Sequence, residues 1–450
     1  MNKMNKRTML ATSVALGGAA LTGCAGTSAA TSTKAPSSGA KPGFVRRDGS
    51  RLLRDGKTYR FVGANVWYGA YLGAAATYGD RARLSRELDR LRALGVTNLR
   101  ILASAEEGPL KNSIKPGFRS KDGWNETLLE GLDYCLSEVG KRGMTAVLYL
   151  GNFWEWSGGM GTYLWYATGR YMDMGDPAHP WPEFPDHNAS FYRSPSAVGM
   201  FEDHVRQIVG RTNRVTGIAY KDDPTVMAWQ LCNEPRPGAT EGVIAETLPA
   251  YYEWISGSAE LIRSLDPNHL VSLGHEGTIA TGGREDRVAE AHAQMDYVTA
   301  HLWPLNWGWV NGKDLSGTWQ NGAAMIAAYL NVHERIAGAL NKPLILEEFG
   351  FPRDGEGYDP SVGTSFRRQY YGMIYAAVES SVAHGGPICG SNFWAWNGEA
   401  RAQHADHRFV DGDRAYMGDP PHEPQGWYGN FDSDTEIVDL IRAHGKRLEA

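Results

Sequence analysis

Two acids that close apolar runs carry the chemistry legible in this chain. Trp229-Gln230-Leu231-Cys232-Asn233-Glu234-Pro235 and Leu344-Ile345-Leu346-Glu347-Glu348-Phe349-Gly350 each read as a strand that stops on a carboxylate, beside a Pro or Gly that ends it. Charged side chains are rarely fully buried unless paired, so an acid closing such a run points to a cleft. Two acids in one cleft meet the requirement of glycosidic bond hydrolysis. A neutral carboxylic acid protonates the leaving oxygen, and an ionised carboxylate attacks the anomeric carbon from the opposite face. Glu234, between Asn233 and Pro235, suits the acid/base; Glu348 suits the nucleophile. Asn233 is placed to hydrogen-bond a sugar 2-hydroxyl, a contact that strengthens in the transition state. Strand alternation sends Glu347 to the other face, where it pairs structurally outside the cleft.

Holding two acids across a cleft needs a rigid mouth, and from Phe44 onward strand-like and helix-like runs alternate. Strands are expected over 59–65, 98–102, 145–151, 226–231, 270–273, 297–301, 344–346 and 391–396. Helices are expected over 81–94, 128–140, 197–216, 250–264, 323–339 and 366–383. Eight strands with helical crossovers predict an α/β fold, a (β/α)8 TIM barrel forming a single catalytic domain over 44–450. Asn65, Arg100, Asn152, Glu234, Glu276, His301, Glu348 and Trp394 then fall at or just past strand ends, where such barrels place their sites. The rival, a doubly wound open sheet, is disfavoured because no Gly-rich phosphate turn follows the first strand. Glu276, in Gly274-His275-Glu276-Gly277, is a competing carboxylate for the chemistry. An aromatic-rich insertion spans 152–195, and a second long loop spans 397–431.

Net charge is −6 with no basic block, which excludes nucleic acid as a partner. The plentiful Trp and Tyr residues divide between a sugar-lined cleft and a large barrel core. No metal or organic cofactor is implied, since acid, base and nucleophile are all side chains. His404, Asp406, His407 and Asp411 read as solvated loop polarity rather than a cation site. Cys135, Cys232 and Cys389 lack disulfide or zinc spacing and read as buried free thiols.

The N-terminus reads as targeting. Lys3, Lys6 and Arg7 precede a short apolar run from Met9 to Ala20, too short to span a bilayer. Leu21-Thr22-Gly23-Cys24 resembles a bacterial lipobox, so residues 1–24 read as a lipoprotein-type signal with Cys24 as the acylated residue. The Ala, Ser, Thr, Pro and Gly of 25–43 read as a flexible linker. An exported protein follows, touching a membrane only through that anchor. The alternative is a plain secretory signal cut near Ala30, with Cys24 incidental.

With these residues in view, the chain resembles glycoside hydrolase family 5, retaining enzymes of clan A. Asn233-Glu234-Pro235 is similar to the family's strand-four acid/base motif, and Glu348-Phe349-Gly350 to its strand-seven nucleophile motif. The resemblance implies that Arg100 hydrogen-bonds the nucleophile and keeps it ionised. It implies that His301 lies near the acid/base, and that Trp394 stacks under the sugar at the cleavage point, with Trp396 as the alternative in register. The family's strand-six pattern is His-X-Tyr, whereas His301-Leu302-Trp303 puts a bulkier indole where a tyrosine contacts the nucleophile. Glu276 is implied to bind sugar on the leaving-group side rather than to perform chemistry.

The resemblance extends to the family's mannan-active branch. It is carried by Phe61-Val62-Gly63-Ala64-Asn65-Val66-Trp67-Tyr68, Asn152-Phe153-Trp154 with Ser157-Gly158-Gly159, His275-Glu276-Gly277 and Glu347-Glu348-Phe349-Gly350. It implies a β-1,4-mannan or manno-oligosaccharide substrate, with Trp67, Asn152, Trp154 and Trp303 among the binding residues. Loops of the length seen at 397–431 are usually functional. This loop and the 152–195 insertion are expected to wall off a pocket for exo-acting β-mannosidase action. Endo-mannanase action in an open groove is the alternative; an inactive carbohydrate-binding lipoprotein and a transglycosylase are others.

Overall fold

Eight parallel strands form the expected barrel in the computed structural model, which describes residues 41–449. The expected signal over 1–24, Cys24 included, and most of the linker lie outside the described residues. The strands are β1 (Phe61–Asn65), β2 (Val96–Leu102), β3 (Thr145–Tyr149), β4 (Val226–Gln230), β5 (Leu270–Ser272), β6 (Val298–Leu302), β7 (Leu344–Phe349) and β8 (Ile388–Phe393). They pair in the order β5-β4-β3-β2-β1-β8-β7-β6. The seam between β5 and β6 is closed by single bonds rather than a ladder. The Asp296 N–H donates to Val271 O and the His301 N–H to Glu276 O, each at 2.9 Å. Thr299 Oγ1 bridges the same gap to the backbone of His275. Crossover helices are α1 (Arg81–Ala93), α2 (Glu126–Lys141), α3 (Pro195–Val209), α4 (Glu241–Leu265), α5 (Glu285–Ala291), α6 (Leu315–Ala339), α7 (Ser365–Ala383) and α8 (Thr435–Glu449). Strands buried on both faces read as near-continuous apolar runs, which is why all eight were visible in sequence.

The barrel's interior changes character along its axis. Before β1, an antiparallel hairpin of Val45–Asp48 and Arg51–Arg54 brings Val45 and Leu52 against Phe61, Val147, Met227, Ile345 and Tyr297 as an apolar plug. Further along, the Asn392 amide donates to Asn98 Oδ1, and the Asn98 amide to Thr145 Oγ1, both at 2.9 Å. Gly63 is required here, because a Cβ would stand 2.1 Å from Asn392 Nδ2. Towards the strands' C-terminal ends come Asn65, Arg100, Gln230 and Glu347, then the site.

Three helix boundaries differ from expectation by more than two residues, two of them through local chemistry. α3 stops at Val209 because Asn213 turns the chain, its side chain accepting the N–H groups of Val215 and Thr216. α6 starts at Leu315, where Asp314 caps the Gly317 N–H at 3.0 Å and outweighs the nearby glycines. α4 starts at Glu241 rather than at the expected 250 and runs through Pro249. Cys135, Cys232 and Cys389 are buried free thiols, as expected. No helix among the described residues is long and apolar enough to cross a membrane.

One buried ion pair ties α2 to the segment leading into β4. Asp133, fully buried, accepts from Arg211 Nε and Nη2 at 3.0 and 2.8 Å and from the Tyr220 hydroxyl at 2.6 Å. Removing one member of such a pair leaves an uncompensated buried charge, at a cost of about 3–5 kcal/mol. Asp133→Ala is expected to lower urea-unfolding stability by that order while kcat of the folded protein stays unchanged.

Candidate active site

Glu234 projects from the turn that ends β4. Its φ of 51° lies in the left-handed region that side-chain-bearing residues rarely adopt, a cost accepted mainly at functional positions. Backbone bonds over-determine the turn: the Asn233 N–H donates to Gly151 O and the Glu234 N–H to Gly274 O, both at 2.8 Å. Glu234 Oε2 then accepts from the Trp154 indole at 2.5 Å, and its Oε1 lies 2.6 Å from His301 Nδ1.

Glu348 faces it from the end of β7. One oxygen each of Glu234 and Glu348, with a ring nitrogen of His301, lie within 4.8 Å of one another. Carboxylates about 5–5.5 Å apart are the spacing of retaining rather than inverting glycosidases. The same three groups have the donor types of a metal site. Their oxygens are, however, already engaged by N–H donors from Arg100, Trp154 and His301, which makes the set a hydrogen-bonded acid cluster.

Arg100, fully buried on β2, organises the floor. It donates to Glu348 Oε1 at 2.5 Å, Asn233 Oδ1 at 2.7 Å, Gln230 Oε1 at 2.8 Å and Asn65 Oδ1 at 3.1 Å, with its guanidinium 4.5 Å from the Tyr149 ring centre. Burial alone would push the Glu348 carboxyl up; the charges of His301 and Arg100 overcome it and hold the carboxyl below its usual range. His301 shows the reverse balance. Burial disfavours its charge, yet Glu348, Glu234 and Glu347 around it lift its pKa well above the ordinary value.

Glu347 corrects the expectation of simple alternation. A β-bulge in the β6–β7 pairing matches Ala300 with Leu346 and His301 with Glu348, leaving Glu347 out of register. Glu347 therefore stays inside the barrel, accepting from Gln230 Nε2 at 2.7 Å and the Tyr297 hydroxyl at 3.2 Å, 3.8 Å from His301 Nε2.

A cavity of about 450 Å³ opens over these groups, and Trp154, Asn233, Glu276, Trp303 and Trp394 line it as expected. Trp394, whose peptide bond to Ala395 is cis, resolves the register. Trp396 is buried elsewhere, its indole donating to Glu87 at 2.8 Å. Trp303 packs edge-on against Trp394 and Tyr428, and Gly350 is the residue that admits it, since a Cβ there would meet the indole at 2.5 Å. Trp303 takes a tyrosine's place in the motif without a hydrogen bond to Glu348, whose partners are Arg100 and His301. Glu276 is held by Arg236 through two bonds of 2.5 and 2.6 Å, the geometry of an ion pair.

Two expected binding residues lie behind the wall instead. Asn152 is fully buried; its Oδ1 accepts from Asn233 Nδ2 and the Trp154 N–H, so it orients those two residues. Trp67 donates to Gly418 O and supports Trp156 edge-on. The loop residues His404, Asp406, His407 and Asp411 do not gather around a point either. His404 pairs with Asp413 and Asp411 with Lys115. Sequence reading missed Trp156, Arg236, Asn306 and Glu423 among the lining residues. Arg236, directly after Asn-Glu-Pro, carried a usable signal; Glu423 sits in an aperiodic loop and carried none.

A family model described as GH family 5 beta-mannosidase-like matches residues 42–450. The chain belongs to glycoside hydrolase family 5. It is a glycosidase of that family's mannan-active branch. Among its relatives, a putative mannan endo-1,4-beta-mannosidase 9 of Oryza sativa is 30% identical over 368 residues, covering 78% of this chain and 81% of its own. The structure of a glycoside hydrolase family 5 mannosidase from Rhizomucor miehei, in complex with mannosyl-fructose, is 33% identical with a TM-score of 0.82, covering 90% of this chain and 97% of that one. An endo-1,4-beta-mannanase from the same fungus, 22% identical with a TM-score of 0.65, shares the fold.

The Glu348 balance fixes a pH test. In the role expected of Glu348, an attacking carboxylate must be ionised, so activity is expected to fall as pH drops through its lowered pKa. Removing Arg100 takes away one of the charges lowering it and raises that pKa. Arg100→Gln is therefore expected to move the acid limb of kcat/KM to higher pH and to lower kcat by about 10²–10³. An unmoved acid limb in the pH–rate profile would refute the role.

Proposed function

We propose that this glycosidase is a retaining β-mannosidase that releases mannose from the non-reducing ends of β-1,4-linked manno-oligosaccharides. In this reading Glu348, kept ionised by Arg100 and His301, attacks the anomeric carbon while Glu234 protonates the departing oxygen. A glycosyl ester on Glu348 forms as the glycosidic bond breaks. Glu234, now a carboxylate, takes a proton from water, which displaces Glu348 and restores both groups. Asn233 keeps one amide hydrogen free for the 2-hydroxyl once the other is given to Asn152.

The observation that carries the exo reading is the late loop. Pro420, His422 and Glu423 line the cavity beside Glu348 and Trp394, where an open groove would need space for further glycone sugars. The loop is fastened: the Asp419 carboxylate accepts the N–H groups of Gly426, Tyr428 and Gly429 at 2.8, 2.7 and 3.0 Å. Burial, with Asp419, Glu348 and Glu234 nearby, pushes the Glu423 carboxyl well above its usual range. The Rhizomucor miehei relative binds mannosyl-fructose, a ligand in keeping with a pocket for one terminal mannosyl group. Endo-cleavage of polymeric mannan remains the second reading, favoured by the names of the plant relatives.

A product time course on mannotetraose separates the two. Mannose as the sole early product supports the pocket; early mannobiose and longer fragments refute it. Glu348→Ala in the same assay is expected to abolish release while circular dichroism stays native.

From the sequence alone we also propose that residues 1–24 direct export and that Cys24 becomes the lipidated N-terminus, with 25–43 as a tether. Cys24→Ser is expected to move the protein from the membrane fraction to the soluble fraction of the expressing bacterium. Wild-type protein found only in the soluble fraction would refute the anchor.

A further inference from the structure

We propose that Trp181 is a platform for the second sugar on the leaving-group side of the cleavage point. The proposal rests on the β-mannosidase reading above, because it needs a substrate whose leaving group is itself a sugar chain. The other indoles of the cavity are packed into its wall. Trp154 stacks on Phe184 and lies under Arg236; Trp303 and Trp394 meet edge to face. Trp181 lines the same cavity yet is 60% exposed, more than any other exposed large apolar side chain among the described residues. Isolated exposed apolar residues need no explanation. One at the rim of a catalytic cavity, in a segment fixed at both ends, does.

Both ends of that segment are pinned by carboxylates. Asp176 accepts from the Ala178 N–H at 2.8 Å and from Lys111 at 3.3 Å. Asp186 accepts the N–H groups of Ala239 and Thr240 and the Thr240 hydroxyl at 2.7, 3.0 and 2.8 Å. The second set fastens the Trp181 segment to the loop that follows Glu234. Glu234 protonates the departing oxygen, so the chain flanking it bounds the leaving group rather than the mannosyl group being transferred. Small residues there, Gly238, Ala239, Ala280 and Gly282, leave room for a ring.

The chemistry of the two positions differs. A first leaving-group sugar lies by the Arg236–Glu276 ion pair, whose polar atoms match hydroxyls. Further out a sugar is half in solvent. There a flat indole can cover the apolar C–H face of a mannosyl ring while the hydroxyls stay wet, the amphipathic role that suits tryptophan at partly wet contacts. The pinned loop presents that face already ordered, so little conformational freedom is lost on binding.

The test compares substrates that differ by one leaving-group sugar. In Trp181→Ala, the ratio of kcat/KM on mannotriose to that on mannobiose is expected to fall about tenfold, equivalent to about 1.4 kcal/mol. Trp181→Phe, which keeps an aromatic face, is expected to recover most of the ratio. An unchanged ratio in Trp181→Ala overturns the proposal. Calorimetric binding of the two sugars to Glu348→Ala, with and without Trp181→Ala, makes the same comparison without turnover. Loss of the extra affinity for mannotriose supports the platform, and equal loss for both sugars overturns it. Failure of the wild-type protein to release mannose from mannotriose sinks the β-mannosidase reading instead, a result the binding comparison keeps separate.

Discussion

A single guanidinium with no access to water holds this active site together. From β2, Arg100 reaches four side chains on three other strands: Asn65 on β1, Gln230 and Asn233 on β4 and the turn that ends it, and Glu348 on β7. A buried cation is tolerable only when its donors are satisfied and its charge is opposed. Arg100 meets both conditions solely if β1, β2, β4 and β7 stand in their correct register. The constraint therefore runs in both directions. The barrel positions the arginine, and the arginine rejects any arrangement of the barrel that leaves Glu348 or Asn233 elsewhere.

Around it acids and nitrogen donors alternate. Arg100 and His301 are interleaved with Glu348, Glu234 and Glu347, so that each acid faces a nitrogen of one of the two. Glu347 belongs to this set because of the β-bulge, which turns two consecutive glutamates toward one interior. Without it His301 would lose an acidic neighbour below, and the balance that keeps Glu348 ionised would shift. The backbone irregularity is thus part of the electrostatics of the site.

Much of this is readable in the chain itself. Strands buried on both faces announce themselves as apolar runs, and an acid at the end of such a run is conspicuous because burial disfavours it. Glu234 and Glu348 were visible for that reason, whereas the roles of Arg100, His301 and Trp394 followed from the resemblance to family 5. What stayed hidden depended on contacts between segments distant in sequence. The inward turn of Glu347 comes from pairing with β6, and the retreat of Asn152 and Trp67 behind the wall depends on Asn233, Ser157 and Gly418. The 152–195 insertion likewise gave no periodicity, although it contains helices over Gly159–Thr168 and Glu183–Asn188. Glu423 was the least legible, since nothing local distinguishes a loop acid in water from one sealed over a cavity.

The seam between β5 and β6 has a consequence for how this enzyme ages with heat. Every other neighbouring pair is laced by a parallel ladder, whereas here isolated bonds and one threonine hydroxyl span the gap. Regions with few backbone bonds open first, and this one carries Glu276 on one lip and His301 on the other. Warming would part the lips and loosen His301 from its acids while seven strand pairings still held. Catalytic failure would then arrive as a local event, ahead of any collapse of the barrel.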